Sequence, residues 1–135
     1  MKKVLTFGSF DPLHEGHRQA FLQSRAHGEY LIVVVARDST IVQQKQRQPQ
    51  VGEKERLQAV AGAEAVDEAR LGEVEPEDYA LLRELDFDVL ALGYDQTPSD
   101  EEARRRLHAA GKEQVTLIRL EPYKPELFKS KYLRT

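Results

Sequence analysis

The sequence predicts an α/β protein: one doubly wound domain, residues 1–135, around a five-stranded, mainly parallel sheet. Three observations carry this. Short apolar runs alternate with helical stretches along the chain. Residues 30–36 read Tyr-Leu-Ile-Val-Val-Val-Ala, a continuous β-branched run between Gly28 and Asp38 that suits a strand buried on both faces. Strand, helix and strand also follow one another within about 35 residues, the length of a βαβ unit with a right-handed crossover.

Val4 to Phe7 is the first apolar run, and Gly8 ends it, giving strand one. Residues 16–26 set Ala20, Phe21 and Ser24 on one helical side and leave Arg18, Gln19 and Arg25 to solvent. Gly28 suits the C′ position that ends such a helix. Asp38-Ser39-Thr40 can cap a short helical turn. Residues 43–50 are glutamine-rich, hold Lys45, Arg47 and Pro49, lack a helical period and predict a mobile loop. Residues 53–62 resume a helix with Leu57, Val60 and Ala61 inward. Residues 65–71 form a short strand, and 76–85 a helix with Pro76 in its first turn. Phe87 to Leu92 is a strand stopped by Gly93. Residues 99–110 are helical, capped by Ser99 or Asp100 and ended by Gly111. Residues 115–120 are the last strand. Pro122, Tyr123 and Pro125 then force an extended turn, and 126–133 can form a final short helix. Five strands and about five helices make an open sheet of Rossmann-like type.

Composition narrows the function classes. Apolar residues are 40% and charged residues 32%, so a packed core is expected rather than disorder. A net charge of −3 gives no broad nucleic-acid footprint. No run approaches the roughly 18 apolar residues of a membrane span. The N-terminus meets polar residues by Thr6, so no signal peptide is expected. The absence of cysteine excludes disulfides, thiolate zinc sites and cysteine nucleophiles. Together these favour a cytoplasmic protein acting on small molecules.

Ligands of open α/β sheets bind outside the carboxyl ends of the strands. Three such ends carry unusual polar segments: residues 8–17 after strand one, Gly93-Tyr94-Asp95-Gln96, and Glu121-Pro122-Tyr123-Lys124. His14 and His17 are three apart and share a side at a helix start, whose free N–H groups favour phosphate. Two imidazoles add donors and, if protonated, positive charge, where charge grows as pyrophosphate leaves an α-phosphate. Such donors are worth roughly 3–4 kcal/mol each in a transition state. Gly8 and Gly16 allow the backbone close to a nucleotide. Taken singly, these residues have plainer readings. His-x-x-His pairs are common near helix ends, Asp11 could cap a turn, and Asp95 could be a turn residue. A zinc site would need two more ligands, and only His27 and His108 remain, neither near in sequence.

Gly8-Ser9-Phe10-Asp11-Pro12-Leu13-His14-Glu15-Gly16-His17 resembles the G-[TS]-F-D-x-x-H-x-G-H motif of the cytidylyltransferase-like nucleotidyltransferase superfamily. That resemblance implies attack of a phosphate or phosphate ester on the α-phosphate of a nucleotide. Ala36-Arg37-Asp38-Ser39-Thr40, Val66-Asp67-Glu68-Ala69 and Ala91-Leu92-Gly93-Tyr94-Asp95-Gln96 are similar to archaeal-type FAD synthases, which adenylylate FMN. The resemblance covers nearly the whole chain, most firmly residues 4–96. It implies that Ser9 and Phe10 line the ATP site and that His14, Glu15, Gly16 and His17 grip its phosphates. It implies that Asp95 and Tyr123 contact the nucleoside side. Lys45 matches a loop lysine that reaches the triphosphate. Arg56 and Ser130 match groups that face phosphate. Mg²⁺ or another divalent cation is implied with ATP as co-substrate, its ligands unassigned. Asp11 either orients the site or helps hold the metal. Members are often dimers, so a homodimer is an expectation. Ser9 stands for the commoner threonine and keeps the hydroxyl. The cytidylyltransferase pattern Arg-Thr-x-Gly-Ile-Ser-Thr-Thr is missing, and Phe128 and Lys129 replace small hydroxyl residues, which weakens a CTP reading.

The expected reaction is therefore transfer of AMP from ATP to FMN. Because the FMN phosphate is already nucleophilic near neutral pH, positioning and charge stabilisation suffice. Two other readings stand beside it: cytidylyl or adenylyl transfer to another acceptor (glycerol phosphate, a sugar phosphate or phosphopantetheine), and a nucleotide-binding module without catalysis.

Overall fold

The computed structural model describes residues 1–74 and 80–122. In chain order the elements are β1 (Lys3–Gly8), α1 (Glu15–Arg25), β2 (Tyr30–Val35), α2 (Asp38–Lys45), α3 (Glu53–Ala61), β3 (Glu68–Leu71), α4 (Ala80–Glu84), β4 (Val89–Leu92), α5 (Asp100–Ala109) and β5 (Thr116–Arg119). The strands lie in the order β3-β2-β1-β4-β5. All four pairings are parallel, with Val4 beside both Leu31 and Val89. From β1 the chain winds out to β3, returns to place β4 against the other side of β1, and winds out again to β5. The strand order therefore reverses between β1 and β4, which is where a ligand crevice opens in such sheets.

The period of two along each strand sorts its side chains onto two faces. Val4, Leu31, Val33, Val35 and Ala91 pack with Phe21 of α1 and Val60 of α3. Leu5, Ile32, Val34, Leu90 and Leu92 pack with Leu81 and Leu82 of α4 and Ala103 and Leu107 of α5. Helices thus cover both faces, which explains why β2 is apolar at every position. Thr6 is the polar exception in β1: it is buried, and its hydroxyl donates to the Ala91 carbonyl at 2.8 Å. Among the described residues, no helix is long and apolar enough to cross a membrane.

Several expected boundaries shift for identifiable reasons. The first part of the glutamine-rich stretch is not loop: α2 runs through Lys45, anchored by the buried Ile41, and ends at Gln46 with φ +55°. Gly28 does not end α1 in a left-handed conformation; Ala26 caps that helix in the right-handed region. Glycine is needed there for space, because a Cβ would lie 2.7 Å from the Lys2 carbonyl oxygen. In α3 the inward positions are Arg56 and Val60, with Leu57 half-buried against the core, and Ala61 is exposed. Gly111, at φ +75°, does end α5, and Ser99 is the residue that caps it. The expected strand over 65–71 shortens to β3. The first residues of the 76–85 helix and the tail from Tyr123 lie outside the described residues.

Candidate active site at the strand reversal

A cleft of about 980 Å³ opens over the carboxyl ends of β1, β2 and β4. Gly8, Ser9, Phe10, Asp11, Gly16 and the two histidines line it from the β1–α1 side. Lys45 reaches it from the end of α2, and Tyr94, Asp95 and Gln96 reach it from the turn after β4. Residues up to 88 positions apart are so brought to one site by the crossover at β1 and β4.

The histidine pair is built from its own backbone. His14 is the N-cap of α1, and its Nδ1 accepts the Gly16 N–H at 3.0 Å. His17 Nδ1 accepts the His14 N–H at 3.2 Å. The His17 N–H donates to the His14 carbonyl at 3.0 Å. The N–H groups of Gly16, His14 and His17 are therefore already paired and do not await phosphate. In exchange, each Nδ1 that accepts a hydrogen bond must be unprotonated, so the proton of a neutral ring sits on Nε2. Neither Nε2 has a hydrogen-bond partner among the described residues. The rings stack with centroids 3.8 Å apart. Burial lowers the pKa of His14, and the charge of Arg18 adds to this. Burial lowers that of His17 to about 4, helped by His14, Lys45 and Arg18. Near neutral pH both rings are donors without charge, and the cations beside them are Lys45 and Arg18.

Phe10 supports this pair. It is 6% exposed, with its ring edge-on to His17 at 5.0 Å between centroids and tilted against Phe21 at 5.3 Å. Its φ of +54° is an uncommon conformation for a bulky residue, kept by the packing around it. Gly8 is required beneath: a Cβ there would lie 2.4 Å from the Phe10 ring.

Asp11 acts on the loop that follows α2. Its Oδ2 accepts from Gln50 N–H at 2.9 Å and Arg47 at 3.1 Å, and its Oδ1 accepts from Val51 N–H at 2.7 Å. Burial raises its pKa, but those N–H groups and the Arg47 charge together outweigh burial and hold it below the ordinary value. Both oxygens are committed, so the orienting role is the one its geometry supports. Among the described residues, no group of three His, Asp or Glu side chains could cage a metal ion. The described residues thus offer no cage for a resident metal.

Two expected phosphate contacts fall elsewhere. The Arg56 side chain is fully buried and outside the cleft lining. It donates to the carbonyls of Val51, Ser9 and Ala36 at 2.7–2.8 Å and to Asp38 at 2.8 Å. It joins the ends of β1 and β2 to the starts of α2 and α3, and those acceptors take the place expected for phosphate. Glu15 faces solvent, bonded to Gln19 at 2.7 Å, because the first turn of α1 rotates it away from the two histidines. Tyr123 and Ser130 lie outside the described residues.

One site-shaping residue, Arg119, was missed, and Gln96 was read only as part of the polar segment after β4. Arg119 of β5 donates to the carbonyls of Gly93, Gln96 and Pro98 and to Asp100, at 2.6–3.1 Å. Gln96 accepts the Gly93 N–H at 2.8 Å and donates to the Phe7 carbonyl at 2.9 Å. The one sequence signal for Arg119 is a charge inside an otherwise apolar strand.

Comparison with known proteins agrees with this architecture. A family model described as cytidylyltransferase-like matches residues 5–134. The FAD synthase of Methanohalophilus mahii is 40% identical over 111 residues, covering 82% of this chain and 76% of that protein. The FAD synthase of Thermococcus onnurineus is 36% identical over 109 residues, covering 81% and 73%. The crystal structure of a lipopolysaccharide core biosynthesis protein from Thermoplasma volcanium superposes with a TM-score of 0.83 at 33% identity, covering 92% of this chain and 99% of that one.

Proposed function

This chain belongs to the cytidylyltransferase-like family, and from that premise we propose that it transfers AMP from ATP to FMN, giving FAD and pyrophosphate. A phosphate oxygen of FMN attacks the α-phosphorus of ATP and forms the new P–O bond. The bond from that phosphorus to the bridging oxygen breaks, and pyrophosphate leaves with the electron pair. The nucleophile is already ionised near neutral pH, so no side chain has to remove a proton. Mg²⁺ enters with the nucleotide, as part of the substrate.

The observation that carries this reading is the stacked histidine pair, which lines the cleft and whose Nε2 atoms have no hydrogen-bond partner among the described residues. Fixed donors of this kind stabilise charge growing on the α-phosphate and cost no reorganisation during the reaction. Lys45, at the end of α2, contacts the β- and γ-phosphates. Gly8, Ser9 and Gly16 line the nucleotide, and Asp95 meets its nucleoside. Asp11 positions Lys45 by fastening the loop that follows it. The relatives named FAD synthase support FMN as acceptor. The cytoplasm is the proposed place of action.

The Thermoplasma protein, named for lipopolysaccharide core biosynthesis, favours a second reading: transfer to a different phosphorylated acceptor. The test is to incubate the protein with MgATP or MgCTP, with and without FMN, and to measure pyrophosphate and flavin products. FAD formed only with ATP and FMN together is the expected result. Pyrophosphate release with sugar phosphates but not with FMN would favour the second reading.

A further inference from the structure

One buried side-chain hydroxyl in the cleft has no partner among the described residues. Thr40, the third residue of α2, is 7% exposed and lines the cleft. Its hydroxyl makes no hydrogen bond, and it is the one such buried side-chain atom among the described residues. A buried hydroxyl left unpaired costs about 1–3 kcal/mol, so its persistence calls for a partner that arrives later. Around it, this end of the cleft is lined by Val34 of β2, Ala36 just after it, Gly72 and Glu73 beyond β3, and Leu81 and Leu82 of α4, with the Glu73 carboxylate already accepting the Ala80 and Leu81 N–H groups. Arg37 stands beside it but is already used, donating to the Gly72 carbonyl at 2.8 Å and pairing with Glu53 at 3.5 Å. The surroundings are thus mostly apolar, with Thr40 supplying an uncommitted polar group.

This end of the cleft lies over β2 and β3, whereas Asp95 and the turn after β4 lie across β1 from it. With the nucleoside at Asp95 and the phosphates at the histidine pair, the β2–β3 end is left for the acceptor. We infer that the Thr40 hydroxyl is a specificity-determining contact for the acceptor, pairing with the polar edge of a flat ring that lies against Val34, Leu81 and Leu82. Threonine in a helix populates two χ1 rotamers, so a single rotation exchanges its methyl and hydroxyl and turns the hydroxyl toward a bound ligand. A hydroxyl both donates and accepts, which suits the alternating carbonyl and N–H groups on the pyrimidine side of a flavin. The inference rests on FMN being the acceptor.

The experiment compares Thr40→Val and Thr40→Ser with the wild type in steady-state FAD synthesis and thermal unfolding. Valine keeps the shape and removes the hydroxyl. The expected result is an FMN KM raised about tenfold in Thr40→Val. Its KM for ATP is unchanged and its Tm is equal or higher, because no hydrogen bond in the folded protein is lost. In Thr40→Ser the FMN KM returns close to the wild-type value. An unchanged FMN KM in Thr40→Val, or a fall in Tm with both KM values rising together, would overturn the assignment and make Thr40 a packing residue. Absence of FAD synthesis by the wild type would overturn both this inference and the acceptor on which it rests.

Discussion

The turn after β1 and the turn after β4 line the same cleft but are held by different means. In the first, the histidines themselves are held locally: His14 and His17 cap one another's backbone within three residues, and Phe10 folds back over Gly8, while Arg56 and residues 47–51 tie down the neighbouring Ser9 and Asp11. In the second, local bonds between Gly93 and Gln96 are joined by fastenings from other strands. Arg119 reaches in from β5 to three carbonyls, and Gln96 spans to Phe7 in β1. A turn that holds itself can keep two donors fixed however the sheet around it breathes. A turn held from a neighbouring strand is only as fixed as that strand. The division suits the proposed chemistry, with fixed donors at the reacting phosphate and a remotely fastened turn at the nucleoside.

Removing a donor from the self-held turn has the largest expected effect. His17→Ala should lower kcat by about 10²–10³, with a smaller change in the KM for ATP, because the lost Nε2–H acts chiefly on the transition state. Near-normal turnover in that variant would remove the histidine pair from the mechanism. The remotely held turn should respond differently. Arg119→Met removes a donor from three carbonyls, of which Gly93 alone keeps another among the described residues, and should destabilise the fold by about 2 kcal/mol, read as a lower Tm. The KM for ATP should rise more than kcat falls. Equal damage to kcat in the two variants would erase the distinction between the turns.

Acidification tests the self-held turn alone. His14 and His17 have folded pKa values below the ordinary 6.5, His17 at about 4. Between these values the unfolded chain binds more protons, so stability is fully present above about pH 6.5 and falls as pH drops toward 4. Asp11, also lowered, stabilises the fold across this range and loses that contribution only as pH falls below its ordinary 3.8. Urea midpoints should therefore decrease from pH 7 to pH 5, and the decrease should shrink in His17→Ala. The smallest effect is expected at Glu15, inside the motif yet facing solvent. Glu15→Ala should leave kcat/KM within about twofold, since surface substitutions of this kind stay within roughly 0.5 kcal/mol.

How much of this could be read from the sequence follows the same division. The strands, their parallel order and the convergence of three strand ends are set by local apolar runs and by the βαβ rule. His14 and His17 are legible because their spacing and their partners are local. What the spacing could not reveal was that they consume the backbone donors of α1 instead of adding to them. Arg56 was misread because its acceptors are carbonyls of Ser9, Ala36 and Val51, groups present at every residue and invisible as a pattern. Arg119 was missed for the same reason. Thr40 was read as a helix-capping residue, and its unpaired hydroxyl emerges only once everything around it is placed.

The most direct test of the central claim, that the site works through two neutral donors, is a ¹⁵N NMR titration of the histidine side chains in the wild-type protein. At pH 7 the account predicts both His14 and His17 uncharged with the proton on Nε2, and His17 taking up a second proton only near pH 4. A charged ring at pH 7, or a proton on either Nδ1, would contradict it.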